Sequence, residues 1–530
     1  MMGRSSPGPR TRAERTGYRE TSRYADVIAF IDSLRGRPEL AFGSIGRTAE
    51  GREIPYVIAS RPRVTSPAEA RQSGRPIVYV QGNIHAGEIE GKEALLALLR
   101  DLTASRRANV LDSVVLIAVP IYNADGNERF ASQRVNRGSQ NGPEMVGQRP
   151  NAQGLDLNRD YVKAEAPETR AALAMFNLWD PHLFVDLHTT NGSYHGYALT
   201  YAPALNPASP LGAFTRDSLM PVLRQRMRDR HRLATFDYGD FVSDDTLSKG
   251  WATFDPRPRF GTNYYGVRGR IGILSEAYSH DPLERRVAST YAFVREILSL
   301  SAERGSRIRF LSQPAESFAL MRIVSPPPAI APRDPSRARS RRAVPLRSRS
   351  AAAPESAGVV AEIIERTGDS TITEVGVPSG RRRSGRFVTV RMPVFDRFIP
   401  TLWQAEPDSY ILSAADTQAV QLLRTHGVIV QTLEREWRGA ADVFAIDSVI
   451  ISLRAFQGHR ETRVEGRWHA GNHAVPAGSF IVRTDQPLGV LAIYLIEPQS
   501  DDGLATWNFF DHSLKAGATF PALRVMSSPR

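Results

Sequence analysis

Between about residue 24 and residue 300, short apolar runs alternate with stretches of helical periodicity, and this alternation restricts the possible folds most. Tyr24 to Leu34 fits a helix, with Val27, Phe30, Ile31 and Leu34 at i, i+3, i+4 and i+7. Ile77–Val80 is a short apolar run, followed by a helix with Leu95, Leu98, Leu99 and Leu102 on one face. Val114–Ile121, Leu183–Leu187 and Ile271–Leu274 repeat the strand signal, and 167–179, opening on Pro167, repeats the helical one. Strands alternating with helices predict a three-layer α/β/α sandwich around a mixed, mostly parallel sheet. In such sheets ligands bind beyond the carboxyl ends of the strands. The residues just after each apolar run are therefore the ones to inspect for chemistry.

The remainder of the chain has another character. Residues 1–17 read as disordered and 18–308 as the α/β unit. Residues 309–357, rich in Pro, Ser, Ala and Arg and without apolar periodicity, read as a linker. Residues 358–530 read as a smaller β-rich domain. Its strand candidates are Phe387–Val390, Val449–Leu453, Phe480–Val482 and Leu491–Ile496, and one helix is expected over Ala415–His426. The net charge of +12 is concentrated, since Arg333 to Arg349 holds seven arginines against Asp334 alone. No nucleic-acid motif accompanies that charge, so it reads as a solvated segment, and no nucleic-acid partner is expected. The absence of cysteine excludes disulfides, thiolate catalysis and Cys-ligated zinc. No apolar run reaches the ~18 residues that a membrane span requires. The first twenty residues carry charge but no apolar h-region, so no signal peptide is expected in the chain as given.

A zinc site without cysteine is built from His and carboxylates, and a catalytic one uses three protein ligands. His85 and Glu88, in Gln81-Gly-Asn-Ile-His-Ala-Gly-Glu88, lie three apart just after the first run, with Gly82 and Gly87 giving the turn backbone freedom. His188 ends the run Leu183-Phe-Val-Asp-Leu-His188, where Asp186 alternates with it and is placed to support a ligand. Singly, each of these residues is more often an ordinary surface or core group. Together, each at a strand end of one α/β unit, they form a specific pattern. Glu276 follows the run Ile271–Leu274 and is placed to take a proton from a metal-activated water. Asn158 and Arg159, in Gly154-Leu-Asp-Leu-Asn-Arg-Asp160, suit recognition of a carboxylate. One of Arg134 and Arg137, after the turn Asn123-Ala-Asp-Gly126, is a candidate for stabilising an oxyanion. His459, His469 and His473 follow no strand-end pattern and read as surface histidines.

In this order along the chain, these motifs resemble those of the zinc carboxypeptidases, over roughly residues 18 to 300. The opening segment Ile45-Gly-Arg-Thr-Ala-Glu-Gly-Arg52, HAGE, NADG, DLNRD, DLH and the strand ending in Glu276 each match one of the family's stretches. The resemblance implies a mixed eight-stranded sheet and one Zn2+ ion on His85, Glu88 and His188. It implies hydrolysis of the C-terminal bond of a peptide, with Glu276 as the base. By position it makes Arg137 the oxyanion arginine and gives Asn158 and Arg159 the substrate's free carboxylate. Tyr264 is the nearest candidate for the family's mobile tyrosine, although that tyrosine normally lies further upstream of the glutamate. The tail motifs Gln486-Pro-Leu-Gly and Glu497-Pro-Gln-Ser-Asp-Asp-Gly resemble large bacterial relatives with an appended domain, and the relatives are often exported, periplasmic or secreted. Two other readings compete. DLHTT also resembles the aspartoacylase and desuccinylase branch, zinc-dependent deacylases of N-acyl amino acids. The third reading is a catalytically degenerate binding protein.

Overall fold

The computed structural model describes residues 8–105, 107–205, 210–243, 246–313, 343–369, 371, 377 and 380–526. Eight strands make the central sheet: β1 (Leu40–Arg47), β2 (Glu53–Ala59), β3 (Ile77–Gly82), β4 (Val115–Val119), β5 (Leu183–Thr189), β6 (Leu199–Pro203), β7 (Thr235–Asp237) and β8 (Ile271–Ala277). Their order is β1-β2-β4-β3-β5-β8-β6-β7. The central strands β4, β3, β5 and β8 run parallel, as do β6 and β7, while the β1–β2, β2–β4 and β8–β6 pairings are antiparallel. The expected mixed sandwich, with its sheet mostly parallel, is thus the observed one.

The apolar runs are continuous because the central strands are covered on both faces. In β3, Val78 and Val80 face a core shared with the helices α1 (Tyr24–Ser33), α2 (Glu90–Leu102), α4 (Met220–His231) and α5 (Leu283–Glu303). Ile77 and Tyr79 face the opposite core, built with Phe176 and Trp179 of α3 (Pro167–Trp179). That second core runs on without a break into Tyr410, Leu423 and Trp507 of the C-terminal region. Burial at ~25 cal/mol per Å2 of apolar surface makes such a shared core a firm attachment between the two halves.

The C-terminal region holds a six-stranded antiparallel sheet, in the order 431–432, 480–483, 409–412, 522–525, 437–451 and 462–475. Two antiparallel pairs precede it, 343–351 with 397–405 and, inserted between those strands, 357–366 with 381–392, and the second bridges to the first half at His195 and Ala361. The expected helix is present at Thr417–Thr425. Leu491–Ile496, expected as a strand, belongs instead to a helix, Gly489–Ile496. Every described residue from 491 to 496 is buried, so no polar position marks a period, and a short apolar run reads the same in either form. Of the expected linker, 314–342 lies outside the described residues, but Ala343–Ala351 is a strand, and Arg347 pairs with Glu465 at 2.7 Å. Within the expected disordered N-terminus, Arg12–Arg15 forms a helical turn with a capping box between Thr11 and Glu14, and Glu14 pairs with Arg100 at 2.7 Å. Residues 1–7 lie outside the described residues. No helix among the described residues is long and apolar enough to cross a membrane.

Candidate active site

The loop after β3 is fixed by its own backbone. Asn83, at φ 67°, turns the chain and donates through Nδ2 to the carbonyls of Ala86 and Glu88. Glu88 N–H donates to the His85 carbonyl at 2.9 Å, closing the turn that brings both side chains to one side. The positive φ thus falls on Asn83 rather than on Gly82 or Gly87. The two glycines serve close approach instead. A Cβ on Gly82 would meet the backbone of Gly91 at 2.9 Å, and one on Gly87 would meet Arg137 Cγ at 2.6 Å.

Two neighbouring strands deliver the other members. His188 and Glu276 are register partners on β5 and β8, so their side chains leave the same face at the same level. His85, Glu88 and His188 are all buried, and their ligand atoms lie within 4.8 Å of one another. Glu88 is 3.1 Å from His85 Nδ1 through one oxygen and 3.0 Å from His188 Nδ1 through the other. The two Nδ1 atoms face each other at 3.2 Å. Two imidazole lone pairs and a carboxylate converging in this way fit a divalent cation, and the N/O donor set suits zinc. The outward nitrogens are occupied. His85 Nε2 meets Asp156 Oδ1 at 3.0 Å, and His188 Nε2 meets Asp186 Oδ2 at 3.0 Å. Carboxylates there fix each ring so that Nδ1 points inward.

The charges are mutually adjusted. Burial pushes the Glu88 carboxyl up, but His85, Arg137 and His188 outweigh it and hold it well below the usual carboxylate range. Burial lowers His188, yet Asp186 and Glu88 raise it well above an ordinary histidine. Asp156 is buried, which raises it, while His85, Arg149 and Arg159 bring it far below the usual value. Glu276 behaves in the opposite way. Burial, with Glu88 nearby, pushes it up to about 8 against the pull of His188 and Arg137. Its Oε2 is buried with no hydrogen-bond partner among the described residues. A carboxyl raised in this way holds its proton in the metal-free fold, and a cation on the neighbouring ligands would favour the ionised form, in which the unpaired oxygen is placed to act as a base.

A cavity opens over these groups, lined among others by Arg149, Asn158, Arg159, Tyr238, Phe260 and Glu276. Asn158 accepts from Gly261 N–H at 2.9 Å, and the Arg159 guanidinium stacks 4.1 Å over the Phe260 ring. Both therefore lie on the cavity wall, held from beneath by the segment 260–261. Arg137 does not reach the cavity. It lies behind the ligands, 3.0 Å from Glu88, and donates to the carbonyls of Thr189 and Thr190. The arginine that lines the cavity is Arg149, which holds Asp156 at 2.9 Å and lies 3.5 Å from Glu88. Tyr264 is also remote from the cavity. It is wholly buried and its hydroxyl bonds His426 Nδ1 at 2.7 Å. The tyrosine on the cavity wall is Tyr238, whose hydroxyl accepts from Asn191 at 2.9 Å.

Sequence reasoning passed over Asp156, Arg149 and Tyr238. Asp156 was within reach, since it stands in DLNRD, two residues before Asn158. Arg149 and Tyr238 lie on irregular segments without a periodic signal. Asp125 of the NADG turn is a structural residue. It accepts from the Thr48 hydroxyl, the Glu50 backbone N–H and Arg52, which explains the Thr and Arg of the opening segment, while the Glu50 carboxylate pairs with Arg52 and Arg129.

A family model for zinc carboxypeptidases matches residues 27–207, a span with all three candidate ligands, Asn158 and Arg159 but not Glu276. Carboxypeptidase 2 of Trichophyton tonsurans is 24% identical, over 90% of this chain and 81% of its own length. Carboxypeptidase 2 of Trichophyton rubrum is 24% identical, over 98% of this chain and 90% of its own length. A metallo-carboxypeptidase structure from Burkholderia cenocepacia aligns with a TM-score of 0.40 and 18% identity, covering 52% of this chain and 69% of that one. These relatives that match along most of the chain are fungal, so the expected tie to a bacterial type finds no support in them.

Proposed function

We infer that this chain is a zinc-dependent carboxypeptidase, a metallopeptidase that removes the last residue of a peptide with a free terminal carboxylate. The convergence of His85 Nδ1, His188 Nδ1 and Glu88 beside an unpaired Glu276, under one cavity with Arg159, carries this reading. One zinc ion is held by those three residues. When bound, it supplies Lewis acidity that polarises the scissile carbonyl and acidifies water.

The rest is the work of the chain's own residues. Arg159, with Asn158 beside it, binds the terminal carboxylate and so sets how far the substrate enters. Glu276 takes a proton from the attacking water at its free Oε2 and hands it to the departing amine. The attack turns the carbonyl oxygen into an oxyanion. Arg149, on the cavity wall, is the guanidinium placed to stabilise it, whereas Arg137 holds Glu88 in place from behind. Tyr238 is the hydroxyl available to the bound substrate.

The experiment is a substrate panel with purified zinc-loaded protein. Peptides with free C-termini should lose their last residue, and the same peptides with a C-terminal amide should not. Hydrolysis of N-acyl amino acids without peptide cleavage would overturn the reading in favour of a deacylase. Inactivity toward every member, with zinc bound, would leave only a degenerate binding protein.

A further inference from the structure

The C-terminal region reaches the metal site through the end of one hairpin. The long strands Trp437–Ile451 and Thr462–Val475 are joined by a turn in which Phe456 and His459 bridge each other. Between them stands Gln457, at φ 51°, a backbone conformation that disfavours any side chain. Its side-chain Oε1 accepts the N–H of Asp156 at 2.9 Å. Asp156 in turn holds His85 Nε2 with Oδ1 at 3.0 Å and Arg149 Nε with Oδ2 at 2.9 Å. One carboxylate therefore orients both a zinc ligand and the cavity arginine, and its backbone is anchored by a residue 301 positions later in the chain.

Neighbouring contacts keep the turn in that place. His459 bonds Glu165 at 2.7 Å and Asn508 at 2.9 Å. Glu461 and Asp502 bind Arg259, which precedes Phe260 and Gly261, the residues under Arg159 and Asn158. The carboxylate-binding wall thus has a second attachment to the C-terminal region, beside the one through Gln457, since the N–H groups of Asn158 and Arg159 also bond Asp156 at 3.0 and 2.9 Å.

We propose that this turn is a positioning element of the active site, in which Gln457 holds Asp156 so that His85 and Arg149 keep their orientation. The C-terminal region is then part of the working site and not an independent appendage. The strain of a side chain at φ 51° is offset there by its amide oxygen, which makes a bond that glycine, the unstrained choice, does not make.

The proposal rests on the zinc-site reading above, and its test separates the two. Gln457→Gly removes the acceptor and relieves the backbone, so the fold is kept and the melting temperature does not fall. Gln457→Glu keeps an acceptor oxygen at the same reach. Two quantities are read on the full chain: the rate of zinc transfer to a chelator, and kcat with KM on a peptide substrate. Removing a partner that orients a ligand weakens metal binding or activity by about 10- to 100-fold. One step further out, Gln457→Gly should speed zinc loss and lower kcat by about three- to tenfold. KM should rise as well, because the N–H groups of Asn158 and Arg159 both bond Asp156. Gln457→Glu should restore zinc retention. Wild-type zinc retention and kcat in Gln457→Gly, or a Gln457→Glu protein as impaired as Gln457→Gly, would overturn the proposal. If instead the zinc-site reading is at fault, the wild-type chain itself retains no zinc.

Discussion

Arg137 and Arg149 both lie within 3.5 Å of Glu88, yet they should fail in different ways when truncated. Arg137 is nine-tenths buried, with Glu88 at 3.0 Å and the carbonyls of Thr189 and Thr190 at 2.9 and 3.0 Å. Arg137→Ala strands a buried carboxylate and releases two carbonyls. Breaking a buried ion pair from one side costs about 3–5 kcal/mol. At roughly 2–4 °C per kcal/mol for a domain of this size, the zinc-free protein should melt about 10 °C lower. Bound zinc supplies a replacement positive charge beside Glu88, so the loss should shrink when the protein is zinc-loaded. Arg149 is one-third exposed and holds no strand end. Arg149→Ala should lower the melting temperature less than Arg137→Ala, since its pair with Asp156 is partly open to water, but lower kcat by about 100- to 1000-fold, the usual cost of removing one oxyanion donor. Calorimetry with and without zinc, with steady-state kinetics on one peptide substrate, measures both. If Arg137→Ala melts like wild type and loses the hundredfold in kcat, while Arg149→Ala does not, the assignment from cavity lining is refuted.

Glu276→Gln should keep zinc and lower kcat by about 100- to 10,000-fold, checked by metal analysis and single-turnover kinetics. The Glu276 carboxyl is raised to about 8 in the zinc-free fold, so its stabilising share is present at low pH and lost as pH rises through 8. Zinc-free Glu276→Gln should therefore match wild type in melting temperature at pH 5 and exceed it at pH 9. Tyr264→Phe should cost about 1 kcal/mol of stability through its lost bond to His426 and leave kcat and KM alone, whereas Tyr238→Phe, which loses its bond from Asn191, should cost a similar amount and also change the kinetics. Gly91→Ala gains about 1 kcal/mol of helix propensity, but its Cβ would lie 2.7 Å from Leu187 Cβ. Overpacking at about 1–3 kcal/mol should win, so the melting temperature should fall.

What the sequence made legible, and what it hid, follow from where each residue sits. His188 and Glu276 stand out because each closes a buried apolar run, and His85 because it follows such a run by one short turn, and a parallel sheet stacks those ends side by side. The same rule placed Asp186, which alternates with His188 along one strand face. It gives no purchase on Arg149 or Tyr238, since their segments follow no period and their approach to the cavity is set by tertiary contacts. Counting residues from the NADG turn led to Arg137, but a loop has no fixed rise per residue, so distance along it does not translate into distance in space. Tyr264 failed for a related reason. The segment around its helix, Gly261–Val267, sets Phe260 and Thr262 against the cavity, while Tyr264 is buried in the core against Tyr161, Tyr265 and His426. Gln457 lay beyond any local reading, because its contact with Asp156 is made by the fold of a second region upon the first. Residues just past a strand end, or inside a compact motif such as DLNRD, were therefore visible in the sequence, and those brought in by irregular segments or by the other half of the chain were not. The proposed site draws on both: groups at strand ends and in DLNRD, and groups such as Arg149 and Gln457 that only the folded chain brings beside them.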